Sequence, residues 1–417
     1  MMKKAYSFLL ARINERLQTM KKKLIFLTAL VSLFMLLCFS AQAEQGRDIT
    51  ADCKIKVSHY AKNLGDMLDN KNMTMWFQKE KNAFVEITSP QDTPAFGAYI
   101  RWGLPPVDLV VEEKGENKDE WTEVLSLPAG YYNQYIPFPR GLKHFRIRPQ
   151  AKEIPFGIIK LQILSQGDLP EGIQAWEPFE GKADVMVLVA HPDDELLYMG
   201  CVIPYYCGEM GKKVVVVYVA KMNGFRLVEA LDGLWHCGVR NYPEMPNQKF
   251  KDEWTSSRSK CLQIWGQDKL LEHVTAMIRK YQPDIIVTHD EKGEYGHGAH
   301  RACSWAVENC IERAADENKS PESYKEYGAW QVKKVYIHLY KGQLGQIDFD
   351  WREPLNAFDG RNAFEVTTEA FNLHRSQAAS GKFVVQDSGK YDNSLFGLYY
   401  STVGPDTGRN DMFENLE

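Results

Sequence analysis

The sequence predicts an α/β half built on a mostly parallel sheet with helices on both faces, preceded by a β-sandwich. Three observations carry this expectation. Short β-rich segments separated by turn residues recur at about ten-residue spacing from residue 50 to 168. From residue 185 onward, strands that are apolar throughout alternate with helical segments, as in a parallel sheet covered on both faces. Two clusters of His, Asp and Glu fall directly after two of those strands. In such sheets ligands sit at the carboxyl ends of the strands.

The N-terminus is read first. Three lysines at 21–23 precede an apolar run from Leu24 to Phe39, and Ala41-Gln42-Ala43 follows. This is the pattern of a secretory leader cleaved after Ala43, so export to the periplasm, cell surface or medium is expected. The run holds 16 residues, short of the roughly 20 that span a bilayer. An uncleaved anchor is the alternative, and Met20 is an alternative initiator. No stable membrane span is expected once the leader is gone.

The chain carries a formal charge of −5; losing residues 1–43 removes seven basic residues and one acid and leaves −11. That sign argues against nucleic acid as a partner. Seven cysteines remain beyond Cys38, with no CxxC pair, so a structural zinc knuckle is not expected. Most read as buried small apolar residues, and no disulfide pairing is assigned.

The sandwich is expected over 50–168, with strands at 83–89, 97–103, 107–113, 121–127, 131–138, 144–149 and 157–164. Its look is that of the galactose-binding-like jelly rolls. Holding carbohydrate and serving as a scaffold are both open for it. A linker rich in Gly, Pro and acids covers 169–184, and the second domain runs from 185 to 417. In it, strands are expected at 185–190, 212–220 and 284–289. Helices are expected after the first strand and at 225–239, 268–282 and 300–315. One further strand is expected near 333–340, and the function of the segments after it is not legible.

The first polar cluster is His191-Pro192-Asp193-Asp194-Glu195. Asp193 or Asp194 can cap the next helix. Capping explains one acid, not a histidine with adjacent carboxylates, which repel unless a cation offsets them. The second cluster, THDEKGEYGHGAHR at 288–301, carries His297 and His300 three residues apart. Two imidazoles and a carboxylate converging at one sheet edge, with water completing the shell, suit an open catalytic zinc site.

AHPDDE followed about a hundred residues later by a Gly-rich HxxH segment resembles the PIG-L/LmbE-like zinc-dependent N-deacetylases, over roughly 182–310. The resemblance implies an LmbE-like, Rossmann-like sheet, one zinc ion per chain and an N-acetylglucosamine-containing sugar or glycan as substrate. It implies His191, Asp194 and His300 as metal ligands, Asp193 as general base and His297 as the residue that stabilises the oxyanion. Arg226 falls where such enzymes carry a substrate-binding arginine. Many relatives have an acid before the last histidine where this chain has Ala299, so the carboxylate orienting His297 is sought in Asp290 or Glu294. Glu195 is either a supporting residue or a first-turn acid. His289 is unassigned, and His374 is open between reaching the site and a structural role. Two other classes stay open: a zinc amidase on another acylated substrate, and a non-catalytic glycan-binding protein. No GxGxxG follows the first strand, which weakens a nucleotide-binding reading.

Overall fold

The computed structural model describes residues 45–115, 120–246 and 249–416. The leader expected over 1–43 lies outside the described residues. Among the described residues no helix is long and apolar enough to cross a membrane.

The first half is β-structure throughout. Its strands are β1 (Lys54–Val57), β2 (Trp76–Gln78), β3 (Val85–Thr88), β4 (Ala95–Trp102), β5 (Leu109–Lys114), β6 (Trp121–Leu127), β7 (Asn133–Leu142), β8 (His144–Pro149) and β9 (Phe156–Leu164). They form two antiparallel sheets, ordered β1-β3-β8-β5-β6 and β2-β9-β4-β7. The alternation that marks these strands in the sequence is burial: β8 alternates half-buried and buried residues along its whole length. The short β1 and β2 were not legible, because four or three residues carry too little alternation.

The second half adds β10 (Val185–Val189), β11 (Val214–Tyr218), β12 (Ile285–Thr288), β13 (Lys334–His338), β14 (Gln346–Asp348) and β15 (Leu395–Ser401). They form one sheet, β11-β10-β12-β13-β15-β14. The first four strands are mutually parallel, and β15 and β14 join antiparallel. The expected sheet is thus parallel only in its first four strands; the last two come from the segment after residue 340.

Both faces of this sheet are covered. Val185, Val187 and Val189 of β10 join a core with the helices Gly224–His236 and Ala363–Asn372. Met186, Leu188 and Ala190, pointing the other way, join Arg258–Trp265, Gln267–Tyr281 and Gly298–Ala315. The period-two alternation of a strand sends successive residues to opposite layers, so a strand buried on both sides must be apolar throughout. β10 lies between β11 and β12, so the chain crosses to the other side of β10 there. The crevice at such a reversal opens at the carboxyl ends of the strands.

The helix expected after β10 is broken. It makes one turn, Asp194–Leu197, and resumes as a wider π-type turn over Ile203–Glu209, with Pro204 near its start. Proline is tolerated there because the first-turn N–H groups have no partner within the helix. Neither Asp193 nor Asp194 caps that turn through its side chain.

The segment expected as a linker is packed. Ile173 and Trp176 are buried, and Trp176 meets Trp235 edge-on at 5.2 Å. Gln174 and Arg101 of β4 both donate to Asp232 on the helix Gly224–His236. At the start of that helix a Cβ on Gly224 would stand 2.3 Å from the carbonyl oxygen of Gly103, so only glycine allows this approach. All seven cysteines in the described residues are free thiols.

Candidate functional site

β10 and β12 end side by side, and the loops after them bring the two polar clusters together. His191 Nδ1 lies 2.9 Å from Asp194 Oδ2, and His300 Nε2 lies 3.3 Å from Asp194 Oδ1. Ligand atoms about 2.0–2.2 Å from one zinc ion stand about 3.3–3.5 Å apart, the spacing of the His300–Asp194 pair, while the His191–Asp194 pair sits closer, at hydrogen-bond distance. Ligand atoms of His191, His297 and His300 lie within 4.8 Å of one another, and so do those of Asp194, His289 and His300. All five residues are buried.

Hydrogen bonds sort these candidates. His289 Nε2 accepts from the Ala190 N–H at 3.0 Å, so its Nδ1 carries the hydrogen and donates to Glu294 Oε2 at 2.8 Å. Both nitrogens are used, and His289 has no lone pair for an ion. His300 donates Nδ1–H to the same Glu294 oxygen at 2.7 Å, which leaves Nε2 without a hydrogen-bond partner and facing Asp194. His191 is held in the mirror fashion: Nε2 meets Asp252 Oδ1 at 3.2 Å, and Nδ1 faces Asp194. Each of the two imidazoles is thus fixed at its far nitrogen by a carboxylate, the arrangement that orients metal-ligating histidines. An orphaned, fully buried ring nitrogen beside a carboxylate fits a cation bound between them.

The charges agree. Burial opposes a charge on His300, but Asp194 and Glu294 outweigh it and lift the imidazole to about 10. Burial would raise Asp194 and Glu294, yet the surrounding imidazoles hold both carboxyls well below the usual range. Positive charge is favoured at this point whether a proton or a metal supplies it.

Asp193 stands next to this set and outside it. Its backbone has φ 122°, a region that non-glycine residues rarely occupy and that costs about 1–3 kcal/mol. Glu195 holds the turn by accepting the Asp193 N–H at 2.8 Å. That aims the Asp193 carboxylate away from Asp194 and toward Arg226, whose Nη2 lies 2.9 Å from Oδ2 and also donates to the Pro192 carbonyl at 2.6 Å. Burial pushes the Asp193 carboxyl up to about 7, with Arg226 pulling against it and Asp194 adding to it.

His297 borders the set, its ring centroid 4.9 Å from those of both His191 and His300. Burial and the two neighbouring imidazoles push it down to about 3, so it is neutral here. Its Nδ1 has no partner. Glu294, expected with Asp290 as a carboxylate to orient His297, instead holds His289, His300 and His338, and the Asp290 carboxylate accepts from the Lys292 N–H. The extra imidazole, His338, comes from β13.

A cavity of about 550 Å³, counted to its open mouth, lies over the cluster. Its walls hold His191, Asp193, Asp194, Arg226 and His297, together with Asp252, Trp254 and Tyr295 and, from the last hundred residues, Gln377 and Phe383. His374 is buried, and its Nε2 lies 3.5 Å from Glu195 Oε1, so this segment does reach the residues behind Asp193. Asp252 and Trp254 were missed because their loop has no periodicity; an acid and a tryptophan two apart between the helices Gly224–His236 and Arg258–Trp265 were the only signal.

Residues 186–311 match the family profile of PIG-L, described as GlcNAc-PI de-N-acetylase, and the chain carries a PIG-L domain there. Two curated relatives are 1D-myo-inositol 2-acetamido-2-deoxy-alpha-D-glucopyranoside deacetylases. One, from Geodermatophilus obscurus, is 25% identical over 36% of this chain and 60% of its own length. The other, from Saccharopolyspora erythraea, is 26% identical over 56% of this chain and 100% of its own length. The chain therefore spans less than two thirds of the first of these. Among solved structures, an N,N'-diacetylchitobiose deacetylase from Pyrococcus horikoshii is 20% identical, covers 47% of this chain and 71% of its own, and superposes with a TM-score of 0.35.

Proposed function

We propose that this protein is an exported, zinc-dependent hydrolase that removes the acetyl group from an N-acetylated amino sugar of the N-acetylglucosamine kind, free or within a glycan. One observation carries the reading. Asp194 lies between His191 and His300, 2.9 Å from the one and 3.3 Å from the other, with the buried His300 Nε2 lacking a hydrogen-bond partner, and the Asp193 carboxylate turned to Arg226; this supports His191, Asp194 and His300 as the ligands and Asp193 as the base. The names of the relatives support the sugar, and the leader pattern at 20–43 supports export.

His191, Asp194 and His300 would hold a zinc ion, which would supply Lewis acidity for an amide carbonyl and lower the pKa of water. The remaining work belongs to the chain. Asp193 takes the proton of the attacking water and delivers it to the leaving amine nitrogen, work suited to a carboxyl lifted to about 7. Arg226 fixes the Asp193 carboxylate from the side opposite Asp194 and presents its guanidinium to the cavity. His297, neutral, offers one N–H to the carbonyl oxygen as it gains negative charge. Asp252 and Glu294 hold the two imidazoles so that neither has to reorient during the reaction.

The test is metal analysis of the purified protein together with acetate release from N-acetylglucosamine and its oligomers. About one zinc per chain and acetate in step with free amine are expected. A metal-loaded protein that frees acetate from no acetylated amino sugar refutes the reading. Release from acylated peptides or lipids alone would make it an amidase of another class.

A further inference from the structure

Trp254 is the most exposed large apolar side chain among the described residues, at 69% of its surface, and it lines the mouth of the cavity. A tryptophan left in water forgoes a large burial gain, and a single exposed apolar residue needs no explanation by itself. Its setting is what carries the argument. The loop on either side is pinned: Phe250 accepts from the Lys221 N–H at 2.7 Å and Lys251 from the Trp265 indole at 2.9 Å, Asp252 meets His191, and the Thr255 carbonyl accepts from the Gly298 N–H at 2.6 Å. The indole is thus displayed on a rigid mount tied to both loops that carry the ligand residues. It stacks parallel to Tyr295, 3° between planes at 5.8 Å, and lies 4.6 Å from His297. Tyr295 continues to Phe383 at 5.8 Å on the far wall. Tyr295 also lies 5.2 Å from His300, so the aromatic line runs along the edge of the ligand cluster, with Trp254 at its exposed end.

From this we infer that Trp254 is a specificity-determining residue: it is the platform for a second pyranose ring of the substrate, linked to the acetamido sugar that enters the cavity, so the protein acts on oligosaccharides in preference to the monosaccharide. The apolar face of a pyranose matches a flat indole. A platform ordered before binding loses little entropy when the ring arrives. The inference rests on the hydrolase reading for what sits in the cavity, and on Trp254 alone for what sits outside it.

Two measurements test it separately. In the first, kcat/KM for N-acetylglucosamine and for its β-linked dimer and trimer is compared in the parent, Trp254→Ala and Trp254→Phe. The parent prefers the oligomers. Trp254→Ala lowers the oligomer-to-monomer ratio roughly five- to tenfold, mainly through KM, and Trp254→Phe restores most of it. An unchanged ratio in Trp254→Ala overturns the inference. The second measurement is calorimetric binding of the trimer to metal-loaded Asp193→Asn with and without Trp254→Ala, which needs no turnover. A Kd unmoved by the tryptophan change overturns the platform even if no acetate is ever released. A Kd weakened by the change in a protein with no deacetylase activity upholds the platform and refutes the hydrolase reading.

Discussion

The Glu294 carboxylate and the His338 imidazole meet at 2.7 Å, oxygen Oε1 to Nδ1, with both side chains fully buried. His338 Nε2 lies 2.9 Å from the carbonyl oxygen of Asp392, which can only accept. Both ring nitrogens therefore donate, and Glu294 stands as an anion among three imidazoles, with the Asp290 N–H as a fourth donor at 3.2 Å. A carboxylate that accepts this many hydrogen bonds fixes the His300 ring and raises its basicity toward an ion. Glu294→Gln keeps the shape and loses the charge. It is expected to weaken zinc affinity about 10- to 100-fold, read by competition with a chelating dye. Unchanged affinity would mean that Glu294 serves packing only.

Asp193 is expected to be needed for turnover and not for metal. Asp193→Asn should lower kcat by about 10²–10⁴-fold while zinc content stays at the parent value. Loss of the metal together with the activity would move Asp193 into the ligand set.

Removing the ion leaves Asp194 facing two imidazoles in a dry site. Chelation is expected to abolish activity and lower Tm, and added zinc to restore both, with Tm rising with free zinc because the ion binds the native state. A Tm indifferent to zinc would argue against a folded-state site.

His273 gives a pH signature away from the site. Burial lowers its imidazole to about 4, with Glu244 opposing and Lys249 and Lys280 adding to the shift. The unfolded chain takes up this proton near the ordinary 6.5 and the folded chain only near 4. Between those values the unfolded state binds more protons, so this residue's contribution to stability is complete above about 6.5 and is lost as pH falls toward 4. Denaturant melts of the parent and His273→Gln across that window are expected to converge as the pH is lowered. Parallel curves would show the residue charged at all these pH values.

Gly224→Ala tests the seam between the halves. The added methyl has no room against the Gly103 backbone, so a cost of about 1–3 kcal/mol is expected from overpacking. Because Arg226 lies two residues on and touches Asp193, kcat of the folded enzyme is expected to fall more than KM rises. A loss of stability with unchanged kcat would leave the seam purely structural.

Much of this was legible in the sequence. Fully apolar VMVLV and VVVVY can only be strands covered on both faces, and helices such as Gly298–Ala315 show their buried side by period. His191, Asp194 and His300 lie together in the structure, and the sequence singled them out as a set only through the resemblance carried by AHPDDE and HGAH. Residues whose roles depend on distant partners were not legible. His338 sits in an ordinary apolar strand, and nothing in KVYIH says that its ring will face Glu294. Phe383 and Gln377 reach the cavity from the short helix Arg375–Ala378 and the loop after it, a placement set by tertiary contacts and not by local pattern. Glu294 was singled out, yet its partner was mistaken: the spacing places it near both His297 and His300, and only the three-dimensional turn decides between them.

The glycine-to-glycine approach of residues 103 and 224 joins the two halves at a seam with no room for a side chain. A fragment begun at residue 185 would present Asp232 without Arg101, and the bare flank of the helix that carries Arg226, to solvent. Domain shuffling could not therefore exchange the β-rich half for another at no cost to the chemistry: sequence changes on either side of that contact must be tolerated by the other, and the two halves are expected to have diverged in step.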